Sequence, residues 1–119
     1  MGKPKATKDI TDNLFYVYEK LGSAVLSMMQ STESLQERLA RACIYDLTRV
    51  SMGKAQLPTE LLQQLEVITK SVTSVPGSGE GSILATTTRM SDEEASSLIE
   101  KILILYDDVA ERIAGGLEG

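Results

Sequence analysis

The chain has no histidine and no tryptophan, and Cys43 is the single cysteine among its 119 residues. Lack of histidine removes the commonest general base and the commonest transition-metal ligand. One thiol can neither build a thiolate cage around zinc nor close a disulfide within the chain. Aromatic residues make up only 4%, one Phe and four Tyr. The core must therefore come from Leu, Ile, Val, Ala and Met, a palette suited to packed helices. Long apolar runs are missing as well. The longest aliphatic stretch, Ile102 to Leu105, is far short of the roughly 20 residues that span a bilayer, so no membrane role is expected. The chain opens without a hydrophobic signal region, and a lone cysteine fits a reducing compartment, so the expected location is cytoplasmic. Myristoylation at Gly2 is set aside, because that pattern wants Ser or Thr where Ala6 stands.

Positive charge is also in short supply. Seventeen acidic residues against twelve basic give a net charge of −5, which argues against a general nucleic-acid binder while leaving room for a local basic stripe. The length is that of one domain.

What is present is helical periodicity. Residues 1–8 carry three lysines and almost no apolar side chain, and are expected to form a disordered basic tail. From Asp9 to Gln30, the apolar residues Ile10, Leu14, Val17, Leu21, Ala24 and Met28 return every three or four positions, marking one helix face. Phe15, Gly22 and Leu26 form a second, flanking seam. The Ser31-Thr32 pair offers an N-cap for a second helix reaching about Met52, with Glu33 and Glu37 near its positive end and Gly53 as its stop. Pro58 suits the start of a third helix that buries Leu61, Leu65, Ile68 and Val72. A glycine-rich stretch follows, and residues 74–90 are expected to be a long loop. Ser91 and Glu94 form a capping box for the last helix, whose stripe is Ala95, Ile99, Ile102, Tyr106, Val109 and Ile113. Gly115-Gly116 should end it, leaving residues 115–119 as a flexible tail in which Leu117 to Gly119 receive no role.

The expected architecture is all-α: a mainly antiparallel four-helix bundle over residues 9–114, with a long Gly-rich loop before the last helix. The run Ile102-Leu103-Ile104-Leu105 could also be read as a strand, but the capped helical frame extends on both sides of it.

Signatures of chemistry are weak. The glycines at 77, 79 and 81 have neither Walker nor dinucleotide-fold spacing and lack the lysine a phosphate loop needs. Cys43 lies on an apolar helix side and reads as a small buried hydrophobe. Ser97 and Lys101 lie one turn apart, as exposed Ser and Lys often do. No metal or cofactor is expected, and the chain is read as a non-enzyme.

Three surface features remain. Arg38, Arg41, Tyr45 and Arg49 share one sector of the second helix, a basic and aromatic stripe suited to anions or nucleic acid, though Glu37 and Asp46 are spaced to pair with Arg41 and Arg49. Asp46 falls among apolar neighbours and is expected to be a buried polar lock satisfied by Arg49, by the Tyr18 or Tyr106 hydroxyl, or by backbone at a helix end. Ile104, Val67 and Tyr16 project away from their helices' inner stripes, and residues 83–90, with Ile83, Leu84 and Met90, resemble an apolar arm. These last six are the expected partner-binding residues. The functional expectation is a helical protein-interaction or oligomerisation module that binds a protein partner or itself. A nucleic-acid accessory factor and a small-ligand-binding bundle are the alternatives. The chain has the general look of small bacterial bundle proteins, a likeness that carries no activity.

Overall fold

The computed structural model describes residues 5–52, 57–77 and 80–118. Among these the chain is wholly helical, with no strand. The helices are α1 (Lys5–Gln30), α2 (Leu35–Ala42), α3 (Thr48–Met52), α4 (Thr59–Val72), α5 (Glu80–Thr88) and α6 (Asp92–Glu118). A π-helical turn at Cys43–Leu47 joins α2 to α3, so these two form one continuous rod. The molecule measures 52 × 27 × 19 Å, and α1 and α6 are its longest elements.

The core follows the apolar periodicity. Leu14, Val17, Leu21, Ala24 and Met28 of α1 are buried together with Leu61, Leu65, Ile68 and Val72 of α4. On α6 the buried line is Ala95, Leu98, Ile102, Leu105 and Val109, while Ile99, Tyr106 and Ile113 are only partly covered. The inner face of α6 is thus turned from the expected stripe toward Leu98 and Leu105. The helix has neighbours on several sides, since it packs against α1, α2 and α4.

Several boundaries differ from the sequence reading. Helix α1 begins at Lys5 rather than Asp9, so the expected tail is helical from residue 5, and residues 1–4 lie outside the described part. Extending a formed helix fixes one residue per hydrogen bond gained, so a helix nucleated further along can run back through these positions. The second helix is capped by Ser34, not by Ser31-Thr32. Its hydroxyl accepts from the Glu37 amide while the Glu37 carboxylate accepts from the Ser34 amide, a full capping box. Gly53, the expected stop, is outside the described residues. The π turn also departs from a regular helix. The Thr48 amide donates back to the Cys43 carbonyl, five residues earlier. Each four-residue step in a regular α-helix drifts by about 40° at roughly 100° per residue. The wider π turn absorbs the drift of Leu39, Cys43 and Leu47, so all three stay buried.

The largest correction concerns residues 74–90, because most of the expected loop is helix α5, packed against α2 and α4. Its threonines bond within the helix: Thr86 Oγ1 donates to the Ser82 carbonyl (2.8 Å), Thr87 Oγ1 to Ile83 (2.9 Å) and Thr88 Oγ1 to Leu84 (2.7 Å). Ser82 Oγ donates to the Val75 and Thr73 carbonyls, and Thr86 Oγ1 accepts from the Val75 amide. These hydroxyls therefore close a short helix onto the end of α4.

Helix α6 has the expected start, with Ser91 and Glu94 exchanging hydrogen bonds. It does not stop at Gly115-Gly116 but continues to Glu118, so the expected 115–119 tail is helical through residue 118. Glycine lowers helix propensity without forbidding the helix, and neither glycine takes the left-handed backbone that would end one.

Candidate functional site

Helix α6 presents two apolar flanks outside the core. Within its run of four aliphatic residues, Ile102 and Leu105 are fully buried, whereas Leu103 and Ile104 are 49% and 48% exposed. Ile104 faces α4, where it lines a groove of about 300 Å³ with Gln64, Val67, Lys101 and Asp108. Val67 is itself half-exposed, so two of the apolar residues singled out from the sequence meet in one place. The rim is polar, and Gln64 Nε2 donates to Asp108 Oδ2 at 2.9 Å.

Leu103 lies on the opposite flank, toward α1. There Tyr106 and Tyr18 stack with ring centroids 5.1 Å apart and planes 9° from parallel. The Tyr106 hydroxyl donates to that of Tyr18 at 3.3 Å. This hydrogen bond is the main cause of a raised Tyr106 pKa, with desolvation second. Gly22 makes the approach close: a Cβ there would stand 3.3 Å from Tyr106 Cε1. Along the same side of α1, Phe15, Leu26 and Met29 are exposed.

The other expected partner-binding residues are dispersed. Ile83 is buried in its own core and Met90 packs against it, so residues 83–90 are not an arm, because α5 consumes their apolar side internally. Leu84 remains exposed and shares a shallow groove with Tyr45, Arg41, Glu33 and Glu37 between α5 and α2. Tyr16 is exposed on another side of α1, beneath the Lys20 ammonium at 5.5 Å from its ring.

The basic stripe is partly occupied by local partners, though not the expected ones. Arg41 pairs with Glu33 (Nε to Oε1, 2.7 Å) rather than with Glu37, which is engaged by the Ser34 cap. Arg38 Nε donates to the Glu33 carbonyl at 2.8 Å. Tyr45 and Arg49 are exposed. Asp46 is buried to 8% exposure, yet none of Arg49, Tyr18 and Tyr106 forms the expected lock, and the two tyrosines satisfy each other instead.

Cys43 is 1% exposed, and burial pushes its thiol up to about 12. A neutral buried thiol is a poor nucleophile. Because its folded pKa lies above the unfolded value, Cys43 adds constant stability at neutral pH, and that contribution is lost only as pH rises from the unfolded pKa toward 12. Iodoacetamide at pH 8 should leave the native chain unlabelled and label it only after denaturant is added. Rapid native labelling would show that the site opens. Ser97 and Lys101 both line a broad, charged depression between α4, α5 and α6, together with Lys70, Arg89, Glu93 and Glu94. Among the described residues no group of three or more acidic or cysteine side chains is placed to hold a metal, and no helix is long and apolar enough to cross a membrane.

No protein-family model, curated protein or solved structure matches the chain.

Proposed function

We propose that this chain is a non-enzymatic protein-interaction module, a mainly antiparallel helical bundle that docks onto a protein partner through α6. The observation that carries the reading is the half-exposure of adjacent Leu103 and Ile104 on a helix whose inner line is already buried. A helix satisfied by one core needs one apolar stripe, and α6 has apolar side chains on both flanks beyond it. Val67 extends the α4-side flank and the Tyr18–Tyr106 stack the α1-side flank. The buried neutral Cys43 and the locally paired Arg38 and Arg41 make catalysis by the thiol, or anion binding through the arginine stripe, the weaker readings.

The test is capture from native cell extract by the intact chain and by Ile104→Glu. Position 104 is half-exposed, so the variant should keep its helical circular dichroism while losing at least about tenfold of the captured partner, the effect of burying one unpaired carboxylate in an apolar contact. Equal capture by both chains would remove the α4-side flank from the account. Sedimentation of the chain alone reports whether the partner is a second copy.

A further inference from the structure

Beyond their buried faces, α1 and α6 each carry a second apolar line with heptad spacing. On α1 it runs Phe15, Tyr18, Gly22, Val25 and Met29; on α6 it runs Ile99, Leu103, Tyr106, Ala110 and Ile113. Steps of three and four repeated over two heptads place each line along one side of its helix, the geometry of a coiled-coil seam. The Tyr18–Tyr106 stack and the contact at Gly22 bring the lines side by side at mid-helix. Tyr18, Val25, Ile99, Tyr106 and Ile113 are partly covered at this junction. The outward members stay open, with Met29 76% exposed, Phe15 42% and Leu103 close to half, and Leu26 beside the α1 line is 54% exposed.

Charge selects what covers this face. Next to the α6 line stand Glu100 and Asp107, one heptad apart and both exposed, and next to the α1 line stands Glu19, also exposed. The basic residues of α6 lie on the other flank, where Arg112 pairs with Glu60 on α4 and Lys101 lines the α4 groove. Lys20 is held over Tyr16, away from the seam. Among the described side chains the α6 rim is thus acidic, and Glu19 is the charged residue beside the α1 line. A second copy laid on this face would set acidic rim against acidic rim, and an anionic membrane or nucleic acid would be repelled.

We infer that the α1–α6 face is the docking site for a basic amphipathic helix of another protein, with apolar residues at the seam positions and Lys or Arg at the flanks. The docked helix would lie along Phe15, Met29 and Leu103, completing knobs-into-holes packing, with its cations facing Glu19, Glu100 and Asp107. This inference rests on the interaction-module reading and specifies the partner class.

The probes are two synthetic peptides of three heptads with Leu at the seam positions, one with Lys at the flanking positions and its twin with Glu. Like charges keep each peptide from pairing with itself. Titrated into the full chain at low ionic strength, the Lys peptide should bind at least about tenfold more tightly than the Glu peptide, and the gap should narrow as salt screens the rims. Reversing Glu19, Glu100 and Asp107 to Lys should invert the preference. The double variant Met29→Ser, Leu103→Ser should weaken the Lys peptide at least about tenfold while circular dichroism stays unchanged, since both side chains are exposed. Equal binding of the two peptides overturns the proposal, and so does binding of neither. Uptake by zwitterionic vesicles in place of the Lys peptide would assign the face to a membrane, and sedimentation as a dimer abolished by the double Ser variant would assign it to a second copy; either result overturns the basic-helix partner. If the peptides fail but Ile104→Glu still loses its extract partner, only this inference falls; failure of both removes the interaction reading itself.

Discussion

Replacing Leu105 by Ala should cost about 2–5 kcal/mol of unfolding free energy, whereas the same change at Leu103 should cost under about 1 kcal/mol. Leu105 is completely enclosed and Leu103 is half-exposed, so only the first substitution leaves a cavity. The pair also discriminates helix from strand. In a strand, residues 103 and 105 would share a face and respond alike, and 102 and 104 would form the other face. The observed order is buried, exposed, exposed, buried along Ile102 to Leu105, a helical pattern. Urea titration of the two variants measures the difference, and similar losses at both positions would contradict the placement of α6.

Two nearby glycines should respond with opposite signs. A Cβ at Gly77 would stand 2.7 Å from the Ser82 amide nitrogen and 2.8 Å from the Gly81 carbonyl carbon, distances that backbone atoms can relieve only by separating. Gly77→Ala should therefore push the segment after α4 away from the first turn of α5 and strain the bonds from Ser82 to Thr73 and Val75, a loss of about 1–3 kcal/mol. Gly81 sits inside α5 with nothing near its would-be Cβ. There Gly→Ala removes backbone freedom from the unfolded chain and should stabilise by up to about 1 kcal/mol. Thermal unfolding of the two variants reads both signs. If Gly77→Ala were neutral, α5 would not be seated against this segment.

These variants also mark where the sequence was legible. Apolar spacing located α1, α4 and α6, because long helices with one dominant buried line repeat the signal many times. Leu14, Val17 and Leu21 are all buried at the expected positions. The same rule failed on α5, whose nine residues allow little more than two turns and whose helical bonds are shared with threonine hydroxyls. The glycine-rich stretch before it suggests a loop, and tertiary contacts with α2 and α4 outweigh that composition. A constant angular step does not reveal the π turn, and Ser34 has the same capping chemistry as the neighbouring Ser31-Thr32 pair, so residue type alone does not choose between them. On the surface, Val67 and Ile104 were identifiable as apolar residues off their helices' inner lines, but their meeting in one groove depends on how α4 and α6 pack. Leu103 was missed, although its heptad relation to Ile99 and Tyr106 is written in the sequence. The expected pair of Glu37 with Arg41 does not form for a local reason, since Glu37 serves the helix cap and Glu33 pairs with Arg41.

On the proposed reading, the functional weight falls on the two flanks of α6, where Leu103 and Ile104 are half-exposed. The α4 flank is a narrow groove, and the α1 flank is a broader face bordered by carboxylates.

Photo-crosslinking in living cells is the most direct test of the claim that α6 is where this protein meets its partner. A photoreactive residue placed singly at position 103, 104 or, as a control, at exposed Gln63 on α4 should give discrete protein adducts from 103 and 104 and none from 63. Adducts of equal yield at all three positions, or none from α6, would contradict it.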